Sequence, residues 1–472
     1  MAVEVKHRCS LIREACVGHF RLDKLSLFFA SLPRLKLSLL QPLANTHLAC
    51  KFSMIPTFFY LIQEGPPAWL KNNAWRITLT VLTISVLYLF KRFTAGATNR
   101  SERKLHGKVV LITGGTSGIG AETALALASR GAQIILLTHV PGSDPFLVDF
   151  IQDMREKTGN HLIYAEQVDL SNLHSIRKFA TAWIDNAPPR RLDMIVLCAA
   201  AMAAPGGKRT ETEEGIEETW MVNFLANFHL LGILSPAIRA QPFDRDVRII
   251  MATCSSYIAS NSLKDALDEL SWSPGRAYAR SKMALNVFAQ AFQKHLDAYK
   301  RPDELPMTAK VILVDPGLCR TPGTRRWLTR GSLIGLIFYA LGYLFPWFLL
   351  KPASQGAQSF LYAAMESNFS MIGGGKLVKE CMVVDFARQE VMDEEIAKKL
   401  WEESDKLIEE KEKESARNRA VKRAQDDKQK EKDEEAERAA EVESLMSAIK
   451  KGKEREKQSE EKTKARKRNT KK

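Results

Sequence analysis

Short apolar runs separated by helix-length segments fill the middle of the chain. The first run, residues 109–112, ends at a Thr-Gly-Gly turn and is followed by a helical period over 121–129. Five further apolar runs follow, at 134–137, 162–165, 194–197, 247–252 and 309–314. Runs of this length alternating with helices are typical of parallel strands buried on both faces. The pattern predicts an α/β fold, with a doubly wound parallel sheet between two helical layers.

An uncharged segment precedes this domain. Residues 77–90 lie between Arg76 on one side and Lys91 and Arg92 on the other. The run is shorter than the roughly 20 residues of a spanning helix, so we interpret 74–93 as a short membrane anchor, with a buried core helix as the alternative. Basic residues predominate just after it, which by the positive-inside rule predicts that the domain faces the cytosol. Residues 1–73 show no domain signal, and we expect a poorly ordered extension.

A second apolar segment, 331–350, carries no charge between Arg330 and Lys351. Its length suits a membrane span, but a full crossing would separate the last sheet elements from their neighbours. We therefore predict a lid that lies in the membrane plane, as an in-plane helix or a shallow hairpin broken at Pro346. A span and an ordinary buried lid helix are the alternatives.

The N-terminal region, the central domain and the C-terminal region also differ in charge. The net charge is +14, and residues 1–108 hold 16 basic and 5 acidic side chains, so the central domain is nearly neutral and no nucleic-acid partner is expected. Residues 391–472 hold 25 basic and 23 acidic side chains with few apolar ones. We predict that 389–472 forms a solvated, coiled-coil-like helical tail without sustained heptads. The seven scattered cysteines include no Cys-x-x-Cys pair, so no metal site is expected.

A glycine-rich loop, Thr-Gly-Gly-Thr-Ser-Gly-Ile-Gly over 113–120, joins the first predicted strand to the first helix. Gly114 permits the tight turn, Gly118 lets the backbone approach a pyrophosphate, and Gly120 lets the helix pack on the strand. The free N–H groups at the helix N-terminus favour phosphate binding. The loop therefore predicts a dinucleotide site, and Asp169, after the third strand, is placed to accept from an adenine amino group.

Several motifs follow this loop in order: Asn223, then Ser255-Ser256 after a strand, then Tyr278-Ala-Arg-Ser-Lys282, then Pro316-Gly317 with Thr321. Together they resemble the short-chain dehydrogenase/reductase family over about 107–330. The 23-residue separation of Ser255 from Tyr278 resembles the retinol-dehydrogenase-like branch, with 257–274 as a flap beside the substrate. The resemblance implies a Rossmann-type domain over 105–388 and an NAD(P)-dependent oxidoreductase.

The resemblance also implies which residues act. Tyr278 and Lys282 share one helix face, and a nearby ammonium is expected to lower the pKa of a phenol. Tyr278 would exchange a proton with the substrate oxygen, and Lys282 would hold the nicotinamide ribose. Asn223 would anchor a water, and Ser255 would orient the substrate, with Thr253 and Ser256 as alternatives. The predicted cofactor-binding residues are Gly114, Thr116, Ser117, Gly118, Ile119, Gly120, His139, Asp169, Leu170, Ala199, Asn223, Tyr278, Lys282, Pro316, Gly317, Leu318 and Thr321.

Two departures refine this interpretation. Ala199 stands where the family carries Asn, which removes side-chain hydrogen bonds near the ribose. The second strand ends in Leu-Thr-His139 with no acid before Asp144. Without a carboxylate to repel a 2′-phosphate, NADP is favoured over NAD.

The predicted substrate is lipophilic: a retinoid, a steroid or a long-chain lipid whose hydroxyl and carbonyl forms are interconverted. We expect association with the endoplasmic reticulum or a lipid droplet. A homodimer is one option, because the family often pairs through the helices that flank its sheet. The alternative function is a catalytically weak dinucleotide-binding scaffold that recruits partners through the charged tail.

Overall fold

The computed structural model describes residues 68–186, 190–263 and 272–469. Most of the predicted N-terminal extension and the centre of the predicted flap lie outside these ranges. The chain divides into two units, Met1–Val86 and Leu87–Lys472. The described part of the first unit holds α1 (Ala68–Asn72) and the start of α2 (Ala74–Ala95). The second unit holds everything that follows.

Helix α2 covers the predicted anchor and extends it by two residues. Its 22 residues include no buried side chain. Three threonine hydroxyls donate to the carbonyl four residues earlier, each at 2.8 Å, those of Thr78, Thr80 and Thr83. These three hydroxyls are therefore satisfied within the helix, as an apolar environment requires.

The second unit is built on an eight-stranded sheet in the order β10-β9-β6-β5-β4-β1-β2-β3. All neighbouring strands pair in parallel except β10, which runs antiparallel to β9. The strands are β1 (Val109–Thr113), β2 (Gln133–Thr138), β3 (Ile163–Gln167), β4 (Met194–Leu197), β5 (Arg248–Ala252), β6 (Lys310–Asp315), β9 (Lys376–Lys379) and β10 (Met382–Val384). The first six coincide with the six predicted apolar runs.

Helices cover both faces of the sheet. Alternate residues of β1 point to opposite faces, so Val109 and Leu111 belong to one core and Val110 and Ile112 to the other. The first core is closed by α5 (Leu173–Ile184), α6 (Glu218–Arg239) and α7 (Pro274–Asp297), and the second by α3 (Gly118–Ala128), α4 (Pro145–Thr158) and α11 (Ala353–Met365). The doubly wound α/β fold is confirmed.

The predicted lid, 331–350, forms two short helices, α9 (Leu333–Leu341) and α10 (Leu344–Leu349), and a third helix, α8 (Pro322–Leu328), precedes them. The whole segment 321–350 is called the lid below. The apolar run breaks after Leu341 at Gly342, so the predicted break at Pro346 is wrong. Pro346 lies in the first turn of α10, where its missing N–H removes no helical hydrogen bond.

The two ends of the lid meet. Strand β7 (Cys319–Arg320) pairs in parallel with β8 (Lys351–Pro352), and the Lys351 amide donates to the Leu318 carbonyl at 3.0 Å. The segment therefore leaves and re-enters the domain at one place, which agrees with a hairpin and not with a crossing.

Helix α12 (Glu394–Asn469) corresponds to the predicted charged tail. Its first turns belong to the folded domain, since Ile396, Leu400 and Ile408 are buried in the first core. The Trp401 ring packs on the Phe228 ring with centroids 5.2 Å apart. The predicted boundary between domain and tail at 388/389 is therefore wrong: the tail becomes solvent-exposed only beyond the first five or six turns.

Candidate active site

One edge of the sheet carries almost all of the predicted site residues. The parallel strands β1 to β6 all end at this edge, which is where open α/β sheets bind ligands. The glycine-rich loop follows β1, His139 follows β2, Asp169 follows β3, Ala199 follows β4, and Pro316 follows β6. The fold therefore brings the predicted cofactor residues together from distant parts of the sequence.

The glycine-rich loop is shaped for close approach. Gly114 has φ of +65°, and a Cβ there would lie 2.8 Å from the Cα of Ala199. A Cβ on Gly120 would lie 2.2 Å from the Gly114 carbonyl oxygen, which only glycine avoids. Gly118 also has positive φ, +57°, and faces Thr321. Ser117 begins α3 without a side-chain cap, so the first N–H groups of the helix stay available for a phosphate. This cradle fits a dinucleotide pyrophosphate.

Local hydrogen bonds partly organise the part of this edge after β2 and β3, where the sequence predicts that adenosine binds. The Asp169 carboxylate accepts from the Ser171 amide and hydroxyl, at 2.8 and 2.7 Å. His139 is exposed directly after β2. The next acid, Asp144, caps α4 by accepting from the Leu147 amide at 3.1 Å. The Ala199 amide donates to the Thr113 hydroxyl, which holds the chain after β4 against the loop.

The opposite side of the edge is formed by the chain after β6. Gly317 has φ of +74°, and its amide donates to the buried Asp315 carboxylate at 2.9 Å. Leu318 is 77% exposed. Thr321 caps α8 by accepting from the Thr324 amide at 3.2 Å. The lid therefore begins directly opposite Gly118.

Tyr278 and Lys282 lie on one face of α7, as predicted. Ser273 caps this helix and Pro274 occupies its first turn, which fixes where the helix starts. Lys282 is 2% exposed, and its ammonium donates to the carbonyl of Ala252, the last residue of β5, at 2.9 Å. The ammonium nitrogen lies 5.6 Å from the centroid of the Tyr278 ring. The pair is therefore held at the end of β5, beside the glycine-rich crevice.

Asn223 occupies a π-helical turn, Met221–Leu225, inside α6. Such turns insert a residue into a helix and are frequent at functional sites. The Asn223 side chain bonds to both backbone groups of Ala201 and donates to the Ser281 hydroxyl at 3.0 Å. Because Ser281 precedes Lys282, Asn223 ties the chain after β4 to the helix that carries Tyr278.

The pKa shifts of Tyr278 and Lys282 differ from what the sequence predicts. Burial raises the pKa of Tyr278 well above 10, and the neighbouring Cys254 side chain raises it further. Burial lowers the pKa of Lys282, whereas Cys254 and Cys198 oppose that shift. The phenol is therefore the stable form of Tyr278 in the protein alone, and the expected lowering by Lys282 is not observed. A neutral phenol keeps the proton that a proton donor needs.

The predicted substrate-orienting serine points elsewhere. The Ser255 hydroxyl donates to the Asp315 carboxylate and accepts from the Lys379 ammonium at 2.9 Å. Thr253 is 3% exposed. Sequence reasoning passed over Cys254, a neighbour of Tyr278 that raises the pKa of the phenol. The only available signal was its position next to three hydroxyl residues after β5.

Together, the cradle, the buried Lys282 and the phenol at one sheet edge define a dinucleotide-dependent oxidoreductase. A model of the short chain dehydrogenase family matches residues 108–330. The chain is 44% identical over 350 residues to an uncharacterized oxidoreductase, pbr1, of Schizosaccharomyces pombe, covering 73% of this chain and 93% of that protein. It belongs to the short-chain dehydrogenase/reductase family and is an NAD(P)-dependent enzyme.

Two further relatives indicate the branch. Human retinol dehydrogenase 13 is 30% identical over 68% of this chain and 90% of its own length. Polyprenol dehydrogenase of Mus musculus is 31% identical over 64% of this chain and 84% of its own. The chain therefore lies in the retinol-dehydrogenase-like branch of the family, as the sequence predicted.

Proposed function

We propose that this enzyme interconverts a hydroxyl and a carbonyl on a lipophilic molecule at a membrane or lipid-droplet surface, with NADP as its preferred cofactor. The observation that carries the proposal is the position of the lid. It begins at Thr321, opposite Gly118, and presents large apolar side chains to the outside beside the site. Leu333, Leu341, Leu344 and Phe345 are each at least 74% exposed.

Tyr278 is the proton donor and acceptor in this proposal. A bound nicotinamide supplies or takes up the hydride. For a carbonyl substrate, the Tyr278 hydroxyl donates its proton to the substrate oxygen, and the raised pKa keeps that proton in place until then. Lys282 holds the cofactor ribose, and its position is fixed by the Ala252 carbonyl. Asn223 orients the backbone after β4 and anchors a proton-relaying water.

The lid and the relatives support the substrate class. Two similar enzymes are named for retinol and for polyprenol, both alcohols on apolar chains. An exposed apolar hairpin of this size favours a lipid surface over water. A retinoid, steroid or long-chain lipid would then reach the crevice from the bilayer side.

The anchor helix supports the same location. Two described helices are long and apolar enough to cross a membrane, and one of them, α2, has no buried residue in its apolar window. The end of α2 meets the lid: the Phe90 and Phe348 rings stack with centroids 5.0 Å apart, and Lys91 donates to the Trp347 carbonyl. We propose that the end of α2, from Leu87 onward, and the lid lie at one membrane surface, of the endoplasmic reticulum or a lipid droplet, with the catalytic domain in the cytosol.

The preference for NADP rests on the end of β2. No carboxylate follows that strand before Asp144, and the Asp144 carboxylate is engaged in capping α4. A 2′-phosphate would therefore meet no repelling charge there. The scaffold alternative is not favoured, because the Tyr278, Lys282 and Asn223 arrangement is complete.

The test is steady-state oxidation of NADPH by the full-length protein in detergent micelles, with retinal, a steroid ketone and a long-chain aldehyde as substrates. Tyr278→Phe removes the proton donor, so kcat should fall at least about 100-fold. Tyr164→Phe, at an exposed position on β3, is the matched control and should retain wild-type rates. Equal rates in wild type and Tyr278→Phe would contradict the mechanism. Turnover of small polar carbonyls alone, with no binding to liposomes, would contradict the substrate class.

A further inference from the structure

Cys254 lies where the substrate oxygen must bind if Tyr278 is the proton donor. It follows β5 by two residues and adopts an extended backbone at the start of the short 3-10 helix Ser255–Ala259. Its thiol lies 2.8 Å from the Ser256 hydroxyl. Ala252, two residues earlier, accepts from the Lys282 ammonium, which lies 5.6 Å from the Tyr278 ring centroid, and the Cys254 thiol is close enough to Tyr278 to raise its pKa. It is partly exposed, unlike the buried Thr253.

The two serine hydroxyls that follow Cys254 have other partners. Ser255 is held between Asp315 of β6 and Lys379 of β9, two residues that pair directly across the sheet. The 3-10 turn that begins at Ser255 directs its side chain toward those strands. The Ser256 hydroxyl is engaged with the sulfur of Cys254.

We propose, on the basis of the function proposed above, that the Cys254 thiol is the second group that holds the substrate oxygen beside the Tyr278 hydroxyl. The substrate oxygen would accept from the phenol and from the S–H group together. In reduction the hydride adds to the carbonyl carbon, the oxygen gains electron density, and the proton comes from Tyr278; the thiol keeps its own proton.

A thiol is a weaker hydrogen-bond donor than a hydroxyl. A preorganised donor lowers the barrier according to how strongly it bonds to the oxygen as charge develops on it. The site therefore combines one strong donor, Tyr278, with one weak and polarisable donor, Cys254. The sulfur also presents a softer, less hydrated surface to an apolar substrate than a hydroxyl would.

The proposal makes an unusual prediction about substitutions. Cys254→Ser installs a stronger donor in the same place and should raise kcat about fivefold. Cys254→Ala removes the donor and should lower kcat by about the same factor. A change of about fivefold corresponds to the net contribution of one neutral hydrogen bond. KM should change less than kcat, because the interaction strengthens in the transition state. The matched control is Cys381→Ser, a half-buried thiol that bonds to the Ala97 carbonyl, and it should leave both constants unchanged.

The measurement uses full-length enzyme in micelles with saturating NADPH and whichever of retinal, the steroid ketone and the long-chain aldehyde is turned over. If Cys254→Ser and Cys254→Ala both match wild type while Tyr278→Phe is inactive, the proposed function stands and the role of Cys254 is wrong. If Ser255→Ala loses activity and the Cys254 variants do not, the orienting group is Ser255. If Tyr278→Phe remains active, the proposed function itself fails.

A second readout needs no turnover. In protein labelled with ¹³C at tyrosine Cζ, the Tyr278 resonance is identified by its loss in Tyr278→Phe. Cys254→Ala should shift this resonance, and Cys381→Ser should not. An unchanged Tyr278 resonance in Cys254→Ala would show that the thiol does not contact the phenol, and would overturn the proposal.

Discussion

Helices α2 and α6 are equal in length, 22 residues, and nearly equal in mean hydropathy, yet they lie in opposite environments. In α6, 72% of the apolar window is buried, and in α2 none of it is. Their polar side chains explain the difference. In α2 the threonine hydroxyls bond to their own helix, whereas in α6 Asn223 bonds to Ala201 and Ser281 outside it. Polar groups that need partners elsewhere in the protein mark a core helix, and self-satisfied ones suit lipid.

The strongest test places the same charge in both helices. Leu234 in α6 is fully buried and Leu82 in α2 is 58% exposed. Leu234→Arg would bury an unpaired charge and should cost more than about 4 kcal/mol of unfolding free energy, or prevent folding. Leu82→Arg should leave the unfolding free energy of the domain within about 0.5 kcal/mol of wild type, and should weaken liposome binding. Urea unfolding in micelles and liposome flotation measure the two effects.

Equal destabilisation by the two substitutions would show that α2 also packs within the folded domain. A second substitution, Leu234→Ala, keeps the comparison informative where the arginine variant does not fold. It should cost about 2–5 kcal/mol through a cavity, with no counterpart for Leu82→Ala.

The next prediction concerns the packing of α12 against α6. Trp401 packs on Phe228 of α6 and on Phe288 of α7, with ring centroids 5.2 and 5.8 Å apart. Trp401→Ala should therefore lower the free energy of unfolding by about 3 kcal/mol. Val442→Ala, on the exposed part of the same helix, is the control and should have almost no effect. A stability loss as small as that of the control would mean that the start of α12 does not belong to the core.

The smallest expected effect concerns the ion pair that fastens α12 to the same surface. Burial alone would raise the pKa of Glu412, but the hydrogen bonds from Arg177 of α5, together with His229 of α6, whose Nε2 lies 3.3 Å away, lower it to about 2. A carboxyl with a lowered pKa stabilises the fold above the unfolded value, about 4.3, and that contribution is lost as the pH falls toward 2.

Glu412→Gln should therefore cost about 1–2 kcal/mol at pH 6, a modest value because Arg177 is half exposed and screened by solvent. The difference from wild type should shrink toward zero as the pH approaches 2. Urea unfolding over this pH range measures it, with Glu437→Gln as the control on the exposed part of α12. A difference that stays constant with pH would show that the charge of Glu412 does not contribute.

Much of the catalytic domain was predictable from the sequence because its signals are local. Each of the first six strands is a short apolar run, and the conformation of the loop after β1 depends on glycines within it. The face shared by Tyr278 and Lys282 follows from helix periodicity alone. The dinucleotide site was therefore predictable before any tertiary contact was known.

The misplaced features depend on distant contacts. The Ser255 side chain points toward its partners Asp315 and Lys379, which lie 60 and 124 residues further along the chain. Counting residues from the end of β5 could therefore not predict its direction. The raised pKa of Tyr278 reflects burial, which spacing does not report. The packed start of α12 did leave a signal, since Ile396, Leu400 and Ile408 recur at multiples of four in a charged segment. These three apolar positions were missed because charged residues dominate the composition of the tail as a whole.

The pairing of β7 with β8 makes the lid an interchangeable module. Because residues 319 and 351 are held side by side, the chain between them can be lengthened, shortened or replaced without altering the register of the sheet or the catalytic helix. Loop-closure entropy grows only slowly with loop length. Substrate range could therefore diverge by exchanging this one segment, while the chemistry at Tyr278 is inherited unchanged.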